Sequence, residues 1–152
     1  MKIYLAGDHR GFELKEKVKA WLEKQGYQVV DLGNDHYDLD DDYPDFVRKL
    51  GMIAAAGSRF AHQGKRGVLF CGSGIGVDIT ANRFADIRCG LGFTPQQIKH
   101  GRQNDDINCL ALAADFFDFK KAKEMVTVFL ETEFDGKKEH RRRIRKIEAI
   151  EV

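Results

Sequence analysis

The sequence predicts an α/β fold in which helices cover both faces of a five-stranded parallel sheet. First, short runs of β-branched and apolar residues alternate with longer stretches of helical periodicity. Second, the length of 152 residues suits one domain and is short for two. Third, no internal repeat, Ser/Pro-rich linker or low-complexity tract divides the chain. We therefore expect a single domain over residues 1–152.

The strands and helices can be placed in order from these patterns. The short apolar runs predict strands at residues 2–6, 28–32, 67–71, 87–92 and 107–112. The first helix lies between the first two strands, because Leu14, Val18, Trp21 and Leu22 share one helical face. A second helix is expected after Pro44, whose fixed φ suits a first turn. Further helices are expected at about 76–85, 95–103, 118–131 and 139–148.

The composition excludes several classes of function. Hydrophobic residues make up 43% and charged residues 32%, and the formal net charge of +1 argues against nucleic acid as a partner. The start of the chain lacks the features of a signal peptide, and no apolar run is long enough for a membrane span. The odd set of Cys71, Cys89 and Cys109 contains no Cys-x-x-Cys pair, so neither a disulfide framework nor a zinc site is indicated. We expect a cytoplasmic protein.

An aspartate-rich segment covers residues 35–45. A solvated acidic loop is the simplest interpretation. A lid over a site, or a contact with a dimer partner, is the alternative.

The sharpest local motif is residues 70–76, where a strand runs into three alternating glycines and then a helix. Glycines let backbone N–H groups approach an anionic oxygen, and a helix start adds partial positive charge. A phosphate, a carboxylate or an enediolate could bind there. Val77 stands where a dinucleotide fingerprint needs its third glycine, and no Gly-Lys-Ser/Thr follows, so neither nucleotide motif fits.

Cys71 stands at the mouth of that loop, where amide dipoles favour a thiolate that acts as nucleophile or base. A buried structural thiol is an equally weighted alternative. Cys89 and Cys109 lie in apolar strand patterns and are expected in the core. Because the sequence has no Gly-x-Ser-x-Gly elbow, proton transfer fits better than acyl transfer.

Two further polar segments have both a structural and a functional interpretation. Asp8 could simply cap the first helix, or Asp8 and His9 together could bind sugar hydroxyls and relay protons. The basic run at residues 137–146 could be a solvated helix face, or one or two of its arginines could turn inward to hold a phosphate.

Five collinear blocks together resemble the ribose-5-phosphate isomerase B and galactose-6-phosphate isomerase family: residues 6–12, 42–44, 71–76, 81–84 and 142–144. The resemblance implies a Rossmann-like three-layer sandwich whose C-terminal helix packs on a dimer partner. It implies a homodimer, or a tetramer built from dimers, with active sites at the subunit interface. It also implies a sugar phosphate substrate and no metal or organic cofactor.

The resemblance further implies a proton transfer between C2 and C1 through a cis-enediolate. Cys71 matches the thiol base and Ser73 the hydroxyl beside it, while the family's other branch has a glutamate at the position of Val77. The remaining matches are the amide cradle at Gly72, Gly74 and Gly76, the sugar-binding pair Asp8 and His9, and the phosphate-binding Arg143.

Four positions depart from the family pattern. Asn104 stands at the place of the histidine that opens the furanose ring, and Asp105 at the place of an asparagine. Asp115 and Glu139 each replace a phosphate-binding arginine, so repulsion of the phosphate is expected there. Three hypotheses therefore stay open: a ribose 5-phosphate isomerase, an isomerase of an open-chain substrate such as a tetrose phosphate, or a catalytically silent sugar-phosphate-binding paralogue.

Overall fold

The predicted α/β architecture is confirmed by a computed structural model, which describes residues 1–56 and 64–150. The chain order is β1 (Lys2–Gly7), α1 (His9–Lys24), β2 (Gln28–Asp31), α2 (Tyr43–Ala56), β3 (Lys65–Cys71), α3 (Ile75–Ala81), β4 (Cys89–Leu91), α4 (Pro95–Asp105), β5 (Cys109–Ala113), α5 (Phe119–Glu131) and α6 (Lys138–Glu148). All strand pairs are parallel, in the spatial order β2-β1-β3-β5-β4. In the described ranges, no helix is both long and apolar enough to cross a membrane.

Two predicted elements are shorter in the structure. The helix expected at 76–85 ends at Ala81, and the strand expected at 87–92 covers only Cys89–Leu91. The Asn82 side chain, at the C-cap of the helix, pairs with the backbone of Cys89: its Oδ1 accepts from the Cys89 N–H at 2.9 Å, and its Nδ2 donates to the Cys89 carbonyl at 3.1 Å. The end of α3 is thereby tied to the edge strand of the sheet.

Side chains alternate along each strand and form a hydrophobic core on each face of the sheet. One core lies under α1, α4 and α5 and includes Ile3, Leu5, Val68, Phe70, Leu110, Leu112 and Phe129. The other lies under α2 and α3 and includes Tyr4, Ala6, Val47, Leu50, Leu69, Cys71, Val77 and Cys109. Cys109 is fully buried, as expected, whereas Cys89 is only partly buried at the edge. Since Phe70 faces α1, the next residue, Cys71, faces the α2 and α3 layer.

Two glycines let the first βα unit approach β3 closely. A Cβ atom at Gly7 would lie 2.5 Å from the Phe70 carbonyl oxygen, and one at Gly11 would lie 2.6 Å from the Phe70 carbonyl carbon. No larger residue fits either place without a backbone shift. The contact seats the first turn of α1 beside the C-terminal end of β3.

Gly11→Ala should therefore destabilise the fold, although alanine is the better helix former. We expect a loss of about 1–3 kcal/mol, typical of overpacking against a fixed backbone. Gly101→Ala in α4 is the matched control, since its Cβ would meet only the flexible tip of Ile107 at 3.2 Å. Urea unfolding gives both free energies. Equal effects of the two substitutions would contradict the proposed close contact.

Candidate active site

A cavity of about 490 Å³ opens at the C-terminal ends of the central strands. It lies where β1 and β3 are neighbours but their connections run to opposite sides of the sheet, the usual place for ligands in open α/β sheets. The residues that line it are Asp8, Arg10, Tyr43, Cys71, Gly72, Ser73, Ile75, Gly76, Ile79 and Asp115. The structure thus brings the loops after β1, β3 and β5 to one place.

Cys71 is the last residue of β3. It has features of both interpretations that the sequence left open, the buried structural thiol and the reactive thiol at the mouth of the loop. Its side chain is 4% exposed and packs in the core under α2 and α3. It also lines the cavity, where the Gly74 N–H donates a hydrogen bond to Sγ at 3.1 Å. A backbone donor at this distance stabilises a negatively charged sulfur.

Each glycine of the loop makes room for a different protein group. Gly74 has φ +74°, and a Cβ there would lie 2.6 Å from Leu91 on β4. A Cβ at Gly76 would meet the Tyr43 ring at 2.5 Å, and one at Gly72 would meet Arg10 Nε at the same distance. The glycines therefore fold the loop tightly against its neighbours. Within the loop, the Ser73 hydroxyl accepts a hydrogen bond from the Ile75 N–H at 3.3 Å.

Asp8 both caps α1 and lines the cavity. Its carboxylate accepts from the Gly11 N–H at 3.2 Å, so the capping interpretation is confirmed. The side chain is 7% exposed, and burial raises the pKa of this carboxyl group above its ordinary value. Asp8 therefore stabilises the start of α1 and also presents a carboxyl group to the cavity.

His9 is held by the acidic segment at residues 35–45. Asp41 Oδ1 accepts from the His9 backbone N–H and lies 2.8 Å from the His9 ring Nδ1. This hydrogen bond raises the pKa of His9 above its ordinary value. The Asp41 side chain is 6% exposed, so the interpretation of the whole segment as a solvated loop is wrong at this residue, although Asp35, Asp40 and Asp42 are exposed. The physical reason is the pairing with His9.

Asp115 is paired rather than repulsive. Arg10 Nη2 lies 2.5 Å from Asp115 Oδ2, across the edge of the cavity beside Gly72. The repulsion expected at position 115 is therefore offset by a cation from the first turn of α1. The sequence reasoning overlooked Arg10 and Tyr43 as site residues. Their signals were present, since Arg10 follows Asp8 and His9, and Tyr43 lies in one of the matching blocks.

The other predicted site residues lie elsewhere in this chain. Asn104 and Asp105 end α4, and Asp105 borders a separate cavity of about 450 Å³ near Ile147. Arg143 and Glu139 are exposed on α6. The end of α4 is held by Asp106, whose carboxylate pairs with Arg88 at 3.0 Å and with Arg102 at 2.7 Å. No residue of these two helices is among those that line the cavity at Cys71 within the described ranges.

Comparisons with known proteins agree on one family. Residues 3–147 match the family model described as Ribose/Galactose Isomerase. The chain is 38% identical over 149 residues to the probable ribose-5-phosphate isomerase B of Mycoplasma pneumoniae, covering 98% of this chain and 94% of the relative.

Two solved structures share the fold closely. The ribose 5-phosphate isomerase of Thermotoga maritima superposes with a TM-score of 0.88 at 38% identity, covering 98% of each chain. Ribose-5-phosphate isomerase B of Mycoplasma genitalium, solved with bound ribulose-5-phosphate, gives a TM-score of 0.88 at 33% identity, covering 96% of this chain and 93% of that one.

The three thiols should differ in reactivity. Although the residue is partly exposed, burial of its thiol group raises the pKa of Cys89 well above its ordinary value. Burial raises the pKa of Cys109 to about 12, so both thiols stay protonated near neutral pH. Cys71 lines a cavity and has a backbone N–H donor, so iodoacetamide should modify it first. Mass spectrometry of the digested protein gives the three rates, with the urea-unfolded chain as the control. Equal rates in the folded protein would rule out this difference in environment.

Proposed function

Because this chain belongs to the ribose and galactose isomerase family, we propose that it is an aldose–ketose isomerase of sugar phosphates, with ribose 5-phosphate and ribulose 5-phosphate as the default pair. One observation carries the proposal: the Cys71 thiol lines the cavity at the strand ends with the Gly74 N–H on its sulfur. The ribulose-5-phosphate bound to the Mycoplasma genitalium relative supports this class of ligand.

In the proposed reaction, the Cys71 thiolate removes the proton from C2 of the open-chain aldose. The electron pair of the broken C–H bond forms the C1–C2 double bond, and negative charge collects on oxygen as a cis-enediolate. The thiol then returns the proton to C1, while a proton moves from O2 to O1 to complete the ketose. General-base catalysis of this kind contributes roughly 10²- to 10⁴-fold to a rate.

The enediolate needs hydrogen-bond donors, and the loop after β3 supplies candidates. The Ser73 hydroxyl is exposed in the cavity and already accepts from the Ile75 N–H. Its own O–H can therefore donate to a substrate oxygen. The backbone N–H groups of Gly72, Gly74 and Gly76 form the proposed cradle around the same oxygens.

Asp8 and His9 are proposed to bind the sugar. The Asp8 carboxylate lies in the cavity, where it can accept from sugar hydroxyls. Asp41 engages Nδ1 of His9, so the imidazole orientation is fixed and Nε2 is the nitrogen left for a ligand. The raised pKa of His9 favours the imidazolium, which can donate to a ring oxygen or a phosphate.

A homodimer is proposed to complete the site. The cavity mouth carries two exposed apolar side chains, Ile75 at 52% and Ile79 at 61%, which a second subunit would cover. Asn104, Asp105 and Arg143 lie outside the cavity of their own chain. In the dimer they would approach the cavity of the other subunit.

An open-chain substrate is a second candidate, and Asn104 favours it. An amide cannot pass the proton that opens a furanose ring near neutral pH, which a histidine can. Tetrose 4-phosphates cannot close a furanose through their phosphorylated oxygen. Such a substrate would not need the missing group.

Cys71→Ala should reduce turnover of ribose 5-phosphate by at least roughly 10²-fold, the minimum expected for loss of a general base. A coupled isomerase assay measures the rate, and circular dichroism checks the fold. Cys89→Ala is the matched control, because that thiol lies on the edge strand β4, does not line the Cys71 cavity and should be dispensable. Near-native activity of Cys71→Ala would exclude this residue as the base.

The role of Asn104 can be tested with a substrate panel. We expect kcat/KM for a four-carbon aldose or ketose phosphate to exceed that for ribose 5-phosphate. Asn104→His should then raise activity on ribose 5-phosphate selectively, because ring opening would no longer be limiting. Efficient wild-type turnover of ribose 5-phosphate, without a tetrose preference or a gain from Asn104→His, would contradict the open-chain hypothesis and leave ribose 5-phosphate as the substrate.

A further inference from the structure

The charged side chains that line the Cys71 cavity include one attractive partner for a phosphate ester. Among the described residues that line this cavity, the acidic side chains are Asp8 and Asp115, and the single cation is Arg10. A phosphate monoester carries close to two negative charges near neutral pH. Among those described lining residues, Arg10 is therefore the one cationic side chain that can attract such a group.

The geometry of Arg10 suits an anion ligand. Its side chain is 59% exposed, and its Nη2 is engaged by Asp115 Oδ2. A guanidinium has several N–H donors in a planar fork, so this contact leaves others at the cavity mouth. A larger residue at Gly72 would displace the pair, because a Cβ at that position would lie 2.5 Å from Arg10 Nε and 2.6 Å from Asp115 Oδ2.

Asp115 is itself fixed by the turn that follows β5. Its backbone N–H donates to the Gly72 carbonyl at 3.0 Å, which joins this turn to the loop that begins at Cys71. The Asp115 carboxylate thus holds the Arg10 guanidinium in one place relative to the loop that begins at Cys71. Because the Asp115 side chain is 38% exposed, water and salt screen its repulsion of an anion more than a buried carboxylate would allow.

We propose that Arg10 binds the phosphate group of the substrate, and that Asp115 is a positioning residue that holds the Arg10 guanidinium beside Gly72. The inference rests on the proposed sugar-phosphate isomerase function and adds to it the group that anchors the substrate. An arginine can bind a phosphate through two parallel N–H···O bonds. The substrate would then lie between this anchor and the Cys71 sulfur.

The first experiment measures kcat and KM separately for ribose 5-phosphate. Arg10→Ala should raise KM by roughly 10- to 100-fold, the equivalent of one charge-assisted contact, with kcat changed less than about threefold. The KM of Arg10→Lys should lie between those of wild type and Arg10→Ala, because an ammonium keeps the charge but lacks the planar fork of a guanidinium. Lys17→Ala is the control, since Lys17 is an exposed α1 cation paired with Glu13. An unchanged KM in Arg10→Ala, or an increase only in Arg143→Ala, would overturn the proposal.

The second experiment tests the pair. Asp115→Asn should raise KM by a smaller factor, about 2- to 5-fold, because the guanidinium loses its fixed position but keeps its charge. The reversed pair, Arg10→Asp with Asp115→Arg, should recover part of the affinity that Arg10→Asp alone loses. A lower KM in Asp115→Asn would show that the ion pair obstructs the anion, which contradicts the positioning role.

A binding measurement separates this proposal from the proposed function. Ribulose 5-phosphate is titrated into wild type and Arg10→Ala by calorimetry, without any need for turnover. Binding that weakens at least tenfold in Arg10→Ala supports the anchor even if no sugar phosphate is isomerised. Equal binding by the two proteins overturns the anchor even if wild type is an active isomerase.

Discussion

The backbone of Phe70 packs directly against Gly7 and Gly11, and the candidate site depends on this contact. It brings the first turn of α1 to the end of β3, so that Asp8 and Arg10 reach the cavity that Cys71 lines. Successive side chains of a strand point to opposite faces of the sheet. Because Phe70 faces α1, Cys71 faces the opposite layer. A larger residue at either glycine would push apart the loops after β1 and β3, two of the three loops that line the cavity.

The glycines after Cys71 show how one loop can satisfy several demands at once. Gly74 adopts a left-handed conformation, and its N–H lies 3.1 Å from the Cys71 sulfur. Gly76 admits the Tyr43 ring, and Gly72 lies against the Arg10–Asp115 pair. Close packing of the loop and a backbone donor for the sulfur therefore come from the same short segment. The hydrogen-bond donor to this sulfur is a backbone group, not a charged side chain.

The two charged side chains that follow Asp8 are each paired with a distant segment of the chain. His9 is joined to Asp41, and Arg10 to Asp115. In each pair, one member follows β1 and the other belongs to a different loop. The acidic segment after β2 and the turn after β5 thereby fix the two side chains that follow Asp8. The Arg10 guanidinium thereby offsets the charge of the carboxylate at position 115.

Sequence alone predicted the class of fold, the strand and helix order, and that Asp8, Cys71 and the glycine loop lie at one edge of the sheet. Those features are local: periodicity sets the elements, and the ends of parallel strands share one edge of the sheet. Only the tertiary structure decided that Arg10 pairs with Asp115, 105 positions away, and that Asp41 holds His9 across 32 positions. It also separated Asn104 and Arg143 from the cavity of their own chain. Contacts between loops of different βα units depend on how the units pack, and no spacing within the sequence specifies them.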